Sequence, residues 1–482
     1  MVQVRSSLVL AAVVFAASAP ALAADSSLPP VVLELQRAAL QDTRAYDTLR
    51  SLTEEVGARF AGSEGDAKAV EWALRTLRAQ GYANVRAEPV TVPRWIRGDA
   101  RVQVIGAGEP LALAALALGG SVGTDDGPIE AEVVAATTLD ELTRLSQAEV
   151  AGRIVFLYDR MLETHDGMDY GPTVRNRSAG AIAAAKLGAR ALVIRSVGTE
   201  DADRPHTGGM RYAVGVPRIP AFAIGNRSAD RLLEQYAQGP VRLRVSSTAR
   251  CAGTAQSANV VGEVPGRAAG TPDEEFVLLG AHLDSWDIGR GAQDDGAGVA
   301  TVLEAGRRIA ELPEPPRRSL RVVLYANEEF GLSGGKRYAL AHERDLARHH
   351  SAIEADLGSG RAFQFQSRVA GRDVPAAIRI AGLLEPLGVP FTSNDTGGGA
   401  DVGPLRERGV PVFELQHDAS KYFEIHHTEA DQLDRVDARD LAFNVAAYAT
   451  VAWALAEGPA LQPLARTWPV PADSVHPCEW QP

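Results

Sequence analysis

The sequence predicts an α/β fold with a doubly wound, mostly parallel sheet, interrupted by a smaller β-rich insert. Two observations carry this. From Asn259 onward, short continuous apolar runs alternate with helix-spaced segments, the pattern of strands buried on both faces between helices. Between Pro128 and Ala249 the texture changes to short β-runs separated by Gly and Pro. The length agrees, because 482 residues at roughly 100–200 per domain give two or three domains.

In chain order, Arg5 supplies a positive n-region, residues 8–17 an apolar h-region, and Ala21-Leu22-Ala23 a small-x-small cleavage pattern. Residues 1–23 therefore read as a signal peptide cleaved near Ala23, which makes the mature chain secreted or periplasmic. The apolar run falls short of the ~20 residues a membrane span needs. Residues 29–125 form the first part of the main domain. They are helical in spacing up to Ala79 (Leu33, Leu35, Ala38, Leu40, Val70, Trp72, Leu74, Leu77), then a strand over 85–95 carries Pro89 and Pro93. Residues 126–250 form the insert, with strands at 129–134, 153–158, 191–195 and 220–224 and a helix at 179–187. Its polar loop, 198–212, holds His206 and is placed to approach a site. Residues 255–465 resume the main domain, with apolar runs at 276–281, 320–326, 351–355 and 410–415. Helices are expected at 298–309 and 375–387, and a buried one at 442–456. Residues 466–482 are a tail.

Composition narrows the function. Hydrophobic residues at 45% and charged residues at 23% describe a soluble globular chain. A net charge of −12 without any basic cluster argues against a nucleic-acid partner. No run after the signal segment is long enough to span a membrane. The only cysteines, Cys251 and Cys478, have no metal-site spacing. An exported chain allows them to pair, and the sequence leaves pairing and free thiols both open.

In an open α/β sheet, ligands bind beyond the carboxyl ends of the strands. His282 ends the first run of the second half, Glu328 and Glu329 follow the second, and Asp356 follows the third. Asp294 sits in the Gly-rich loop 289–296 before a helix, and His426-His427 lie in the late segment 422–431. Any one of these is an ordinary cap or turn residue. Together, mostly at successive strand ends, they suit divalent zinc, and paired hydrolytic metals lie ~3.5–4 Å apart with room for a bridging carboxylate. Cobalt or manganese fits the same donors.

The segments His282-Leu283-Asp284-Ser285-Trp286, Gly291 to Gly298, Asn327-Glu328-Glu329-Phe330-Gly331, Asp356 and His427-Thr428 resemble the M28 metallopeptidases, within them the carboxypeptidase Q branch. Strong motifs cover about 259–434, with a weaker likeness at Arg59-Phe60-Ala61-Gly62-Ser63. The insert, through 152–155 and 219–222, resembles a protease-associated domain. The resemblance implies a zinc-exopeptidase-like fold and two zinc ions, with His282 and Asp356 on one, Glu329 and His427 on the other, and Asp294 bridging. It implies Glu328 as general base toward the attacking water, Asp284 orienting His282, and a cis Asp294-Asp295 peptide. It also implies a peptide substrate, dipeptides or short peptides with free termini, and a possible homodimer. Aminopeptidase action is the main alternative.

The His-Thr-x-x-Asp pattern favours His427 over His426. Tyr422 is either an oxyanion donor or packing. His349, His350 and His417 read as surface or structural. Loop 396–401 is a flexible wall or only a turn, and the N-x-S/T triplets at Asn176, Asn226 and Asn394 are chance matches. Gly331-Leu332-Ser333-Gly334-Gly335 fits a serine-hydrolase elbow, with Asp401 and His427 following in order, but leaves His282, Asp294 and Asp356 unexplained. A non-catalytic binding module and a cyclase-type transferase are the remaining classes, and a filled ligand set disfavours both.

Overall fold

The computed structural model describes residues 28–467 other than 107, together with 474–476 and 478. The expected signal peptide lies outside them. No helix among the described residues is long and apolar enough to cross a membrane.

Two eight-stranded mixed sheets organise the chain. The larger runs, edge to edge, through Ala83–Ile96, Arg250–Val264, Ser319–Tyr325, Phe276–His282, His349–Glu354, Val412–His417, Ala362–Arg368 and Phe391–Ser393. Its centre is parallel as expected: Phe276–His282 pairs in parallel with Ser319–Tyr325 on one side and His349–Glu354 on the other. His349–Glu354 in turn pairs in parallel with Val412–His417. All seven residues of Phe276–His282 are buried, which explains why these strands show no polar alternation.

The flanks depart from the expected parallel sheet. Ala83–Ile96 pairs antiparallel with Arg250–Val264, and Ala362–Arg368 pairs antiparallel with Val412–His417. Ala362–Arg368 alternates buried and half-buried positions, so it offered no continuous apolar run. Helices cover both faces. Ala297–Ala310, Ala438–Glu457 and Glu64–Ala79 pack Val302, Leu303, Tyr448 and Trp72 with Val277, Leu279 and Ala281. Ser333–Ala341 places Tyr338 and Ala339 with Leu278, Val323 and Tyr325 on the opposite face.

The second sheet contains Ala100–Ile105, Leu111–Leu113, Ala115–Ala117, Ile129–Ala136, Ile154–Leu157, Ala191–Arg195, Ala221–Ile224 and Arg242–Ser247. Its first strands precede residue 126, where the sequence change was read. They are short and only partly buried, so they do not stand out as apolar runs. Helices Tyr170–Lys186 and Asn226–Tyr236 flank this sheet.

Cys251 and Cys478 form a disulfide, and Ser474–Val475 adds a short strand against Tyr212–Ala213. The end of the chain is thereby tied across the second sheet's loops rather than left as a free tail.

Candidate metal centre

The central strands are parallel and in register, with His282 opposite Tyr325, so their carboxyl ends open on one edge of the sheet. That edge gathers the residues singled out in the sequence. His282 Nε2 lies 3.0 Å from Asp294 Oδ1 and 3.3 Å from Asp356 Oδ1. His427 Nε2 lies 2.8 Å from Glu329 Oε2 and 3.2 Å from Asp294 Oδ2. The two oxygens of Asp294 thus face two different imidazoles.

Each imidazole is oriented from behind. His282 Nδ1 is 3.1 Å from the Asp284 carbonyl and His427 Nδ1 is 3.2 Å from the Thr207 carbonyl. A carbonyl only accepts, so Nδ1 carries the proton and Nε2 turns its lone pair inward. In each neutral ring that lone pair meets carboxylate oxygens, acceptor against acceptor. A proton or a metal cation must sit between them. Orienting a ligand histidine through its other nitrogen is a recurrent feature of metal sites.

Asp284 corrects one detail. Its backbone carbonyl, not its carboxylate, takes the His282 hydrogen bond. The carboxylate Oδ1 stands 3.7 Å from Nδ1 and accepts instead from the Glu328 amide at 2.9 Å. It thereby ties the His282 strand end to the turn bearing Glu328 and Glu329.

Burial and like charge dominate the electrostatics. Burial, reinforced by Asp356, drives the Glu328 carboxyl well above the carboxylate range. Burial beside Asp294 lifts Glu329 to about 7, and burial also raises Asp356. Although burial opposes their charge, neighbouring carboxylates raise His282 strongly and bring His427 to about 9. Asp294 is held well below its usual value by the two imidazoles despite its burial. So many carboxyls forced toward neutrality mark a site short of positive charge, which divalent cations would supply.

The donors fit such ions. Asp294, His426 and His427 bring ligand atoms within 4.8 Å of one another, as do His282 with Asp295 and Asp356, and His282 with Asp294 and Glu329. Asp294 Oδ2 and Glu329 Oε1 are buried without hydrogen-bond partners. His426 is the weaker of the adjacent pair: it stacks on His427 with centroids 3.5 Å apart, and its Nε2 is 3.5 Å from Asp294.

Several supporting residues escaped the sequence reading. Asp431 accepts from the backbone amides of Ala292, Gln293 and Asp294 at 2.9, 2.6 and 3.1 Å, holding the loop that carries Asp294. The Asp294-Asp295 peptide in that loop is cis, as the resemblance implies. Asp295 accepts from the amides of His282 and Gly298, joining a strand end to a helix start. Arg59 is fully buried and donates to the carbonyls of Leu283, Arg290 and Gly291. Trp286 Nε1 donates to Glu329 Oε2 at 2.6 Å. The signals available were the Asp431 spacing after His427 and the motif segments that contain Arg59 and Trp286. The 198–212 loop does reach the site, where Thr207 meets His427 and His206 Nδ1 donates to the His426 carbonyl at 2.7 Å.

Other candidates fall away from the centre. Ser333 Oγ takes up Asn327 Nδ2 within its own turn at 2.7 Å. A Cβ at Gly334 would stand 2.5 Å from the Ala326 carbonyl, so the glycines there let a helix start against the strand end. His349, His350 and His417 are buried and hydrogen-bonded to Tyr338, Pro459 and Gly358, which makes them structural. Asn176 and Asn226 are buried and spend their amides on Leu139, Gly198 and Glu200.

The centre opens into a cleft of about 1000 Å³ between the two sheets. Glu328, Asp356 and Tyr422 line it from the first sheet's side, Arg177 and Met210 from the second's, and His476 from the tied tail.

The profile of Peptidase family M28 matches residues 259–452, the stretch that supplies every group of the centre named in the sequence. Mouse carboxypeptidase Q is 34% identical over 419 residues, covering 86% of this chain and 86% of its own. The chain belongs to peptidase family M28. It is a metallopeptidase similar to carboxypeptidase Q. Among solved structures, a peptidase M28 precursor from Shewanella amazonensis SB2B matches with TM-score 0.87 and 43% identity, over 91% of this chain and 98% of that one. A zinc aminopeptidase from Bacillus subtilis shares the fold, with TM-score 0.60 at 20% identity over 84% and 93%.

Proposed function

We propose that this M28 member is a two-zinc exopeptidase hydrolysing dipeptides or short peptides with free termini. The observation that carries it is the Asp294 carboxylate spanning two imidazoles, each with its Nδ1 committed to a carbonyl. His282 and Asp356 would hold one ion and Glu329 and His427 the other, and Asp294 would serve both. His427 is preferred to His426 because it alone of the pair approaches both Glu329 and Asp294. Bound there, zinc supplies Lewis acidity toward a carbonyl oxygen and toward water.

The chain's own groups do the rest. Glu328 lines the cleft, where its carboxylate is placed to accept a proton from the attacking water and pass it to the departing amine. Asp284 fixes Glu328 through its amide. The second sheet acts as a protease-associated-type insert, closing the cleft and orienting His427 through Thr207. The disulfide suits an exported chain.

Asp294→Ala is the direct test. Removing the shared carboxylate should lower zinc content together with hydrolysis of an unblocked dipeptide. A variant still loaded with two zinc ions would refute the bridge. A wild-type chain that cuts N-terminal residues from C-amidated peptides but leaves N-blocked ones intact would favour aminopeptidase action.

A further inference from the structure

The cleft divides by charge. Among the described residues, its acidic lining groups are Asp294, Glu328, Glu329 and Asp356, all part of the metal centre. The other charged residues that line it are basic: Arg177, Arg211 and Lys336. Arg177 is buried against the centre, with Nη1 3.4 Å from His427 Nδ1. Arg211 and Lys336 are exposed. A chain with a net charge of −12 thus keeps a basic end on the cleft that holds its centre.

Three separate elements build this end. Lys336 stands on helix Ser333–Ala341, and its Nζ donates to the Gly331 carbonyl at 2.8 Å. Gly331 lies in the turn after Glu329, where its amide donates to the Glu328 carbonyl at 3.2 Å. The same glycine meets the tail, since a Cβ on it would stand 3.0 Å from His476 Cδ2. The tail runs antiparallel to Tyr212–Ala213, with Ser474 opposite Ala213 and Val475 opposite Tyr212. One further step in that register sets His476 opposite Arg211. His476 Nδ1 accepts from the Cys478 amide at 3.2 Å, so Nε2 carries the ring proton. Burial, with Lys336 and Arg211 nearby, lowers His476 to about 4, which keeps the ring a neutral donor beside two cations.

An ammonium, a guanidinium and an imidazole N–H suit an anion. The ammonium has three donors on a flexible stem. One goes to the Gly331 carbonyl, which leaves two for a ligand. A cleft end of one charge also concentrates ligands of the other. Position sets what kind of anion fits. Gly331 is two residues beyond Glu329, and two residues of chain span at most about 7 Å. A side-chain carboxylate on a residue next to the scissile bond bridges such a distance.

We propose that Lys336, flanked by Arg211 and His476, binds an acidic side chain next to the scissile bond, so that short peptides containing aspartate or glutamate are preferred substrates. This rests on the metallopeptidase reading above and names the substrate class its cleft selects. It also gives the tied tail a role, because the disulfide holds His476 at this end.

The test uses the zinc-loaded full chain on four unblocked dipeptides: glutamyl-alanine, glutaminyl-alanine, alanyl-glutamate and alanyl-glutamine. Each acid is thereby compared with an amide of the same shape. In wild type, kcat/KM for acid over amide should be about 5-fold or more in at least one pair. Lys336→Met should cut that ratio by about 3-fold or more, and Lys336→Glu should bring it below 1. Zinc content and thermal unfolding are recorded alongside. Added salt should shrink the wild-type ratio, because the site is exposed, and this decides the matter if a variant does not fold. A ratio insensitive to salt would overturn the proposal, as would a preference that either variant leaves in place. Zinc-dependent hydrolysis with wild-type ratios near 1 for both pairs would overturn it while leaving the metallopeptidase reading intact. No zinc-dependent hydrolysis of any of the four would overturn both.

Discussion

Replacing Asp431 by asparagine perturbs the centre without touching a proposed zinc ligand. Oδ1 accepts from the Ala292 and Gln293 amides, and Oδ2 from the Asp294 amide. An asparagine oxygen in the Oδ1 position keeps two of these bonds but makes them neutral, and its NH2 faces the Asp294 N–H and loses the third. Hydrogen bonds to charged groups contribute about 1.5–3 kcal/mol, neutral ones about 0.5–1.5, and an unsatisfied buried donor costs about 1–3. Part of that loss is offset, because burial pushes the Asp431 carboxyl up to about 7 against these donors, and an amide avoids that desolvation. A net cost of roughly 2–3 kcal/mol follows. If half of it appears as freedom of the Asp294 loop, zinc affinity falls about five- to tenfold, since 1.4 kcal/mol is one decade. Competition with a chromogenic chelator measures this, with thermal unfolding followed in parallel. Weaker zinc binding and a lower Tm are expected. Unchanged zinc affinity, with or without a lower Tm, would refute the view that Asp431 builds the centre through the backbone.

Glu328→Gln should retain zinc yet lose about 10²- to 10⁴-fold in kcat; near-normal turnover in a metal-replete variant would sink the general-base role. Cys478→Ser should free the tail whose His476 packs on Phe330 at 4.3 Å in the cleft wall. Losing that long-range crosslink should cost roughly 2–5 kcal/mol of stability and raise KM more than it lowers kcat, and unchanged steady-state kinetics would show that the tail does not shape the cleft. Ser333→Ala should leave hydrolysis almost unaltered, because the hydroxyl serves only its own turn; an inactive protein would bring back the serine mechanism.

The sequence made the centre readable where side-chain type and strand position act together. His282, Glu328-Glu329 and Asp356 follow apolar runs, and the parallel register converts that linear pattern into one edge. What it concealed is carried by the backbone. The acceptor for His427 is a carbonyl from residue 207, 220 positions away, and any residue type supplies a carbonyl. Arg59 and Asp431 likewise act on main-chain groups, so their identity alone does not point to their partners. The antiparallel strand Ala362–Arg368 and the short strands between Ala100 and Ala117 were missed for a related reason. They are partly buried and lack the continuous apolar signature of the central strands.

A zinc titration of the chelator-stripped protein, read by hydrolysis of an unblocked dipeptide, tests the two-ion centre most directly. The account predicts no cleavage without metal and activity rising to a break at two zinc equivalents per chain. Cleavage that persists after complete metal removal would contradict it, as would full activity at a single equivalent.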